Sequence, residues 1–143
     1  MYSLKPVFGA KAILNFENMC RKSFGGGKIK DNYESQVAMN IVTEGSCAYT
    51  CYDDEKPVGG MVIKLPEDDK NIVLEYLFTN RGQRKKRAAS FMINKLVEER
   101  TFFTEKDYEG IILQSKEQSF DFYIHRGFEM VNDGPMLVKK YPH

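Results

Sequence analysis

The spacing of apolar and polar residues changes several times along the chain, which predicts a succession of strands and helices. Alternating or continuous short apolar runs indicate strands, and apolar residues recurring every three or four positions indicate helices. The predicted strands cover residues 2–7, 47–52, 58–65, 71–79, 110–114, 128–131 and 136–141. The predicted helices cover residues 10–22, 31–41, 87–99 and 115–125, and the form of segment 101–109 stays open.

The connections between these elements predict how the strands pair. Polar turns at 53–57 and 66–70 join three successive strands, so these strands form an antiparallel meander. The strand at 71–79 leads through a helix to the strand at 110–114, which predicts a right-handed parallel crossover. The fold class is therefore α/β (α+β), with a mixed, mostly antiparallel sheet flanked by about four helices.

Several glycines and polar residues predict a strand irregularity, the ends of a helix and a loop. Gly59 and Gly60 lie inside a strand, which indicates a bulge or a close approach of another segment. Ser115 and Gln118 have the spacing of a capping box, and Gly127 suits the position after the helix that follows. The glycine-rich segment 25–28 has no preceding strand and no following Ser or Thr, so it predicts a flexible loop and not a P-loop.

Composition and charge narrow the class of protein. A chain of 143 residues with 42% hydrophobic and 13% aromatic residues suits one globular domain spanning residues 1–143. A net charge of +1 argues against a globally basic nucleic-acid binder. No apolar run reaches transmembrane length and the N-terminus has no signal-peptide core, so we expect no membrane association and a cytoplasmic location.

The cysteines and histidines give no sign of a disulfide framework or a metal site. The three cysteines, Cys20, Cys47 and Cys51, are an odd number in a chain without a secretory signal, and we expect them to be small buried residues. The two histidines, His125 and His143, are too few to complete a zinc site with them. We therefore expect no metal.

A basic turn joins the strand ending near Phe78 to the helix that carries Met92. It contains Arg81, Arg84, Lys85, Lys86 and Arg87. The first turn of a helix has unpaired backbone N–H groups and partial positive charge, so a strand, a basic turn and a helix form a cradle for an anion. The predicted ligand is a phosphate or a pyrophosphate.

Two segments resemble the GNAT superfamily of N-acetyltransferases. Arg84-Lys85-Lys86-Arg87-Ala88-Ala89 is similar to that family's acetyl-coenzyme A signature, and Phe122-Tyr123-Ile124-His125-Arg126-Gly127-Phe128 is similar to its aromatic-Tyr-x-x-x-Gly-Phe segment. The resemblance covers roughly residues 49–141 and implies acetyl-coenzyme A as co-substrate, bound between a splayed pair of parallel strands. The cofactor-binding residues that it implies are Leu77, Phe78, Thr79, Arg84, Lys85, Lys86, Arg87, Ala88, Ala89 and Ser90.

The resemblance also implies direct acetyl transfer to a primary amine. Tyr123 is then the acid for the departing thiolate, although a tyrosine between Phe120 and Phe128 is equally explained as a core residue. Glu75 precedes the cradle on the same strand and is the candidate acceptor of the amine proton, or else a solvated strand residue. His125 is expected on the helix surface.

Arg87 departs from the family pattern, which has glycine where the backbone approaches the pyrophosphate. Arg87 is compatible with binding if its backbone is helical and its side chain points outward; otherwise it weakens cofactor binding.

Other functions stay open. The Arg81–Arg87 run could instead serve a catalytically inactive module that binds nucleic acid or an acidic partner, although the run is short and contains no aromatic residue. The acceptor, a small molecule or a protein, is not readable from the sequence, and the segments expected to select it are 23–32 and 101–109. A homodimer also stays open.

Overall fold

The structure, a computed structural model, describes residues 1–23, 45–80, 85–115, 119–132 and 134–142. The strands are β1 (Tyr2–Pro6), β2 (Ser46–Asp53), β3 (Lys56–Lys64), β4 (Asn71–Thr79), β5 (Gly110–Gln114), β6 (Glu129–Met130) and β7 (Met136–Lys140). The helices are α1 (Ala10–Ser23), α2 (Lys85–Glu98), α3 (Arg100–Phe103) and α4 (Phe120–Ile124). No helix in these ranges is long and apolar enough to cross a membrane.

The strands form one mixed sheet in the order β1-β2-β3-β4-β5-β7-β6. Strands β1 to β4 pair antiparallel with their neighbours, and β4 pairs parallel with β5. The meander and the parallel crossover were both predicted, because short turns and an intervening helix leave few other connections. The predicted fold class is confirmed.

Two cores lie on opposite faces of the sheet, because neighbouring residues of a strand point to opposite sides. On one face, Phe16 and Cys20 of α1 pack against Ala48, Val62 and Phe78. On the other face, α2 contributes Ala88, Met92, Ile93 and Leu96 to the larger core. We call these the α1 face and the α2 face.

Most predicted boundaries agree with the structure to within one or two residues. The helix predicted to start near Arg87 begins at Lys85, so the basic turn passes into helix earlier than expected. The open segment 101–109 begins within the short helix α3. The predicted helix 31–41 and the glycine-rich loop 25–28 lie outside the described residues, as do residues 116–118. The helix predicted over 115–125 is shorter in the structure, because α4 covers only Phe120–Ile124 and its N-cap is Ser119, not Ser115. Gly127 has φ +90° and lies two residues after the C-cap His125, one position later than the position directly after the helix end that was predicted for it.

The pair Gly59 and Gly60 marks close packing. A Cβ on Gly60 would lie 2.5 Å from Phe16 Cε2 and 2.6 Å from Phe78 Cζ, and one on Gly59 would clash with the backbone oxygen of Phe78. The close approach is therefore confirmed. The nearby irregularity of β3 falls at Val58, because Gly59 pairs with Cys51 and Pro57 pairs with Tyr52.

Two of the three cysteines are buried as expected, and Cys47 is only partly buried. Cys20, Cys47 and Cys51 are free thiols, and Cys20 and Cys51 are buried. Cys47 and Cys51 both pack on the α2 face, as a separation of four strand residues requires. Burial raises the pKa of Cys51 to about 11, so its thiol is protonated and unreactive near neutral pH.

Candidate active site

A gap opens in the sheet where the parallel strands part. Pairing of β4 with β5 starts at Asn71 and Gly110 and ends at Leu74 and Leu113. Strand β4 continues to Thr79, whereas β5 ends at Gln114, which pairs only with β7. Within the described residues, β5 therefore pairs with β4 only at residues 71–74, and residues 75–79 of β4 extend beyond that pairing.

A bulge in β4 lies at the start of this gap. Leu74 pairs with Ile63 and Tyr76 pairs with Val62, so Glu75 is an extra residue without a partner on β3. The bulge reverses the side-chain alternation: Leu74 packs in the core of the α2 face, whereas Tyr76 packs against the core of the α1 face. Glu75 is half-buried at this turning point. The structure thus places the candidate base beside the parting of the strands.

The first turn of α2 follows β4 closely. Arg81 and Arg84 lie outside the described residues, and Lys85 and Lys86 are the first two residues of α2. Arg87 is helical with an exposed side chain, while Ala88 is only 1% exposed and packs inward. A side chain that points outward from a helical position leaves the N-terminal N–H groups accessible. This is the arrangement in which Arg87 is compatible with an anion at the helix start.

The cofactor residues expected on β4 lie along the gap. Leu77 packs toward the α2 face and Phe78 toward the α1 face, and Thr79 ends the strand. Ala89 and Ser90 continue α2 and are half-buried. The gap and the start of α2 are therefore close in sequence, separated by residues 80–84.

Tyr123 lies in the core of the α2 face and is only 8% exposed. Its ring makes edge contacts with Phe122 and Phe128, at centroid distances of 5.1 Å and 5.6 Å. Burial raises the pKa of Tyr123 to about 12, and the charge of Arg126 partly opposes that rise. Tyr123 is therefore a core residue and also a phenol that stays protonated at neutral pH.

Arg126, which the sequence does not indicate as a site residue, connects this segment to α2. Its Nη1 donates to Phe122 O at 2.7 Å, and its Nη2 donates to Ser90 Oγ. Its Cζ lies 3.8 Å from the centroid of the Phe122 ring. An arginine within a segment rich in aromatic residues was the only available signal. His125, by contrast, is exposed as predicted.

A cavity of about 810 Å³ lies on the α1 face, between α1 and the sheet. Asn15 and Met19 of α1 line it on one side, and Lys5 and Thr50 of β1 and β2 line it on the other. Asn80, the residue after β4, lines it at the end nearest the gap. These described lining residues lie outside segments 23–32 and 101–109, which the sequence predicts to select the acceptor.

No group of three or more potential metal ligands occurs in the described ranges. Those ranges contain one histidine, His125, which is exposed at the end of α4.

The family of the chain follows from a match to a family sequence model. A sequence model of the acetyltransferase (GNAT) family matches residues 13–128, which is most of the chain. The chain belongs to the GNAT family. It is thus an acetyltransferase by family, and acetyl-coenzyme A is the acyl donor of that family. No curated protein matches the chain at a significant level.

Solved GNAT structures share the whole fold at low sequence identity. Tetrahymena GCN5 is 9% identical, with a TM-score of 0.73, and the match covers 98% of this chain and 96% of that one. The aminoglycoside 6'-N-acetyltransferase from Enterococcus faecium is 14% identical, with a TM-score of 0.75 and coverage of 100% and 98%. The PaiA N-acetyltransferase from Thermoplasma acidophilum, solved in complex with coenzyme A, is 13% identical, with a TM-score of 0.65 and coverage of 100% and 99%.

The residues of this GNAT chain fit such a donor. The gap lies beside residues 75–79, and the start of α2 lies where that strand leads. An amide-containing arm pairs with a strand edge, and phosphates suit a helix N-terminus.

Proposed function

We propose that this enzyme transfers the acetyl group of acetyl-coenzyme A directly to a primary amine. Tyr123 and Glu75 are the catalytic residues, and the donor lies along Leu77, Phe78 and Thr79 with its pyrophosphate at the start of α2. The binding residues of that start are Arg84, Lys85, Lys86, Arg87, Ala88, Ala89 and Ser90.

One observation carries the proposal: the parallel strands part immediately beside a bulged carboxylate. Pairing ends at Leu74, and the next residue, Glu75, is the bulge residue. Tyr123 follows the other strand of the pair and shares one buried core with Leu74 and Leu113. A base and an acid are therefore associated with the two sides of one gap, which suits a reaction with two proton transfers.

Each residue has a stated task in that reaction. The amine nitrogen forms a bond to the acetyl carbon, the carbon–sulfur bond breaks, and the sulfur leaves with the electron pair. Glu75 accepts a proton from the amine, directly or through water, and returns it to solvent. Tyr123 donates a hydrogen bond or a proton to the departing sulfur, and solvent restores any proton lost.

The pKa of Tyr123 limits how far its proton moves. A phenol with a pKa of about 12 and a thiol near its ordinary ~8.5 differ by roughly 3.5 units, or about 5 kcal/mol against full transfer. Hydrogen bonding to the sulfur is therefore favoured over complete transfer in the resting environment. Because Arg126 opposes the rise in pKa, its charge makes Tyr123 a better acid than burial alone would.

Binding and turnover test the proposal separately. Calorimetry with acetyl-coenzyme A should show a saturable site, and its absence at millimolar donor would refute the proposal. Turnover with carbon-13-labelled acetyl-coenzyme A and a panel of amines is followed by mass spectrometry, with coenzyme A measured by chromatography. Chromatography is preferred to a thiol reagent, because Cys47 is partly exposed and contributes background.

The Glu75→Gln variant tests whether Glu75 is the catalytic base. The amide keeps the size of the side chain and cannot accept the proton, so turnover should fall about 10²-fold while donor affinity stays unchanged. Glu55→Gln on the exposed turn between β2 and β3 is the matched control. Equal turnover in the Glu75→Gln and wild-type proteins would remove Glu75 from the mechanism.

A further inference from the structure

We propose that Gly60 is a positioning residue for the acetyl donor. Because Gly60 has no side chain, the ring of Phe78 lies over β3, and this position keeps the ring out of the gap beside residues 75–79. The inference rests on the proposed function and adds to it what keeps the donor site open. It is drawn from the strand order, the pairing of β3 with β4 and the packing around Gly60.

The ring of Phe78 leans toward β3. Gly60 of β3 pairs with Phe78 of β4, so a side chain at residue 60 would project from the sheet beside that of Phe78. The Cβ that Gly60 lacks would be 2.6 Å from Phe78 Cζ, so the tip of the ring occupies the space of the missing side chain. Because β4 lies between β3 and β5, a ring that leans over β3 leans away from the side on which β4 and β5 part.

Phe16 of α1 packs against this ring from the helix side. The two rings make an edge contact, with centroids 5.3 Å apart and planes at 70°. Phe16 is 1% exposed and Phe78 is 5% exposed, so both belong to the closed core of the α1 face. Phe16 Cε2 lies 2.5 Å from the same missing Cβ. Both rings therefore use the space above Gly60, and a side chain in that space would displace them.

The end of β4 is fixed to β3, so the backbone there does not move easily. Asn80 N donates to Val58 O at 2.8 Å, and Asn80 Nδ2 donates to Pro57 O at 2.9 Å. Gly59 pairs with Thr79, and a Cβ on Gly59 would lie only 3.1 Å from Thr79 Cα, which shows how close the two backbones are. Overpacking in this region is therefore relieved by movement of side chains and not of the strand.

A displaced Phe78 ring moves toward the gap. Phe16 opposes movement toward α1, and an added side chain at residue 60 opposes the present position over β3. The remaining rotamers of Phe78 carry the ring toward the β5 side. On that side, within the described residues, β5 pairs with β4 only up to Leu74 and Leu113. A ring placed there covers residues 77–79, along which the donor is proposed to lie.

The donor affinity of Gly60→Ala tests the inference. Calorimetry in the cold, well below the melting transition, compares acetyl-coenzyme A binding by the folded variant and by folded wild type. If the ring occupies the gap in about nine of ten variant molecules, the apparent affinity falls about tenfold, because only the remaining molecules bind the donor. Equal affinity in the two proteins would overturn the inference, whatever the variant loses in stability.

A second background identifies the ring as the cause. In Phe78→Leu, whose side chain has no Cζ, the further change Gly60→Ala should alter donor affinity less than about twofold. Both proteins of this comparison carry leucine at residue 78, so any effect of Phe78→Leu itself cancels. A loss as large as that in the wild-type background would show that the ring is not the cause, and the inference would be wrong.

Cys20→Ala is the matched control for a loss of stability. Cys20 is 1% exposed in the same core as Phe16 and Phe78, and it is not among the atoms nearest to the missing Cβ of Gly60. Its truncation should lower the melting temperature and leave donor affinity at the wild-type value. An equal loss of affinity in Cys20→Ala and Gly60→Ala would show that any damage to this core weakens binding, which would overturn the specific role of Gly60.

If Gly60→Ala does not fold, Gly60→Ala combined with Phe16→Leu takes its place. Leucine lacks the Cε2 and Cζ atoms of Phe16 that lie nearest the added Cβ, whereas the contact with Phe78 Cζ remains. Donor affinity should be several-fold below that of Phe16→Leu alone, and equal affinity would overturn the inference. If wild type does not bind acetyl-coenzyme A, the proposed function fails. If wild type binds it and residue 60 has no effect, only the role of Gly60 is wrong.

Discussion

The guanidinium of Arg126 donates a hydrogen bond to the hydroxyl of Ser90, which ties the end of α4 to the second turn of α2. These two helices follow the two strands that part at the proposed active site. The same guanidinium stacks on Phe122 and lowers the pKa of Tyr123 relative to burial alone. Arg126 thus both positions the segment that carries the proposed acid and favours its ionised form.

Replacing Arg126 should weaken the acid. Arg126→Met keeps a flexible apolar stem and removes the charge, so the pKa of Tyr123 should rise and kcat should fall several-fold, while donor affinity changes little. Carbon-13 NMR of labelled tyrosine follows the titration of Tyr123.

Two further variants of this contact are the controls. Arg126→Lys should restore part of kcat because it retains the charge, and Ser90→Ala should leave the pKa of Tyr123 at its wild-type value because it removes only the hydrogen-bond acceptor. A Tyr123 titration that is the same in Arg126→Met and in wild type would contradict the electrostatic role.

Removing the phenol tests the acid itself. Tyr123→Phe keeps the aromatic packing against Phe122 and Phe128, so the protein should fold and bind the donor normally. The kcat should fall toward the low end of the usual 10²–10⁴-fold range for acid–base groups, because a thiolate is a fairly good leaving group. Unchanged kcat, where chemistry limits the rate, would leave Tyr123 with a packing role only.

The buried tyrosines predict a loss of stability at alkaline pH. Burial raises the pKa of Tyr49 and of Tyr123 to about 12, whereas unfolded tyrosines ionise near ~10. Between these values the unfolded state binds fewer protons, so the free energy of unfolding falls as pH rises, by roughly 2–3 kcal/mol for each fully shifted tyrosine. Burial of Cys51, with a pKa of about 11, acts in the same direction.

Urea denaturation at several pH values between 9 and 12 measures this loss. Tyr123→Phe should lose less stability than wild type over that interval, because it has one buried phenol fewer. Parallel curves for the two proteins would show that Tyr123 is not protected from ionisation by the fold.

The side chain of Arg87 should be dispensable for donor binding, because Arg87 is proposed to contact the donor through its backbone N–H. Its side chain is exposed on a helical residue, so Arg87→Gly should retain acetyl-coenzyme A binding in calorimetry. Glycine in a helix should lower the free energy of unfolding by about 1 kcal/mol relative to Arg87→Ala. Arg87→Ala separates the loss of the side chain from the effect of glycine on the helix. If Arg87→Gly and Arg87→Ala lose similar affinity for acetyl-coenzyme A, and if that affinity depends less on salt than in wild type, the guanidinium contacts the donor.

Gly60 should not tolerate a side chain. The added methyl group of Gly60→Ala would meet Phe16 and Phe78, whose rings already form an edge contact at 5.3 Å. Overpacking of this kind costs about 1–3 kcal/mol, a drop of several degrees in melting temperature for a domain of this size. Gly134→Ala, where the nearest atom to the added Cβ is 3.7 Å away, is the matched control. Equal melting temperatures would show that the two rings move apart at little cost.

Much of the fold was predictable because its determinants are local. The strands at Asn71–Thr79 and Gly110–Gln114 were predicted with the observed bounds, since each is a short apolar run between polar or glycine-containing segments. The short turns at 53–57 and 66–70 predicted the antiparallel meander. The helix between the strands at Asn71–Thr79 and Gly110–Gln114 predicted that these two strands pair parallel. Tyr123 became a candidate through its place in a family motif, and Glu75 through its position on the strand before the basic turn. Both are properties of the linear chain.

The features that now define the site depend on contacts between distant residues. Glu75 is a bulge residue because of how β3 pairs with β4, and Arg126 is 36 residues from the Ser90 hydroxyl to which it donates. The cavity is assembled from four strands or their ends and from α1, so no single segment of sequence encodes its charge or its size. The sequence by itself determined most of the elements, the meander, the parallel crossover and the family, because these follow from local periodicity and motif spacing. The tertiary structure decided which polar groups lack partners and which charges face one cavity, because burial is set by the whole packed chain.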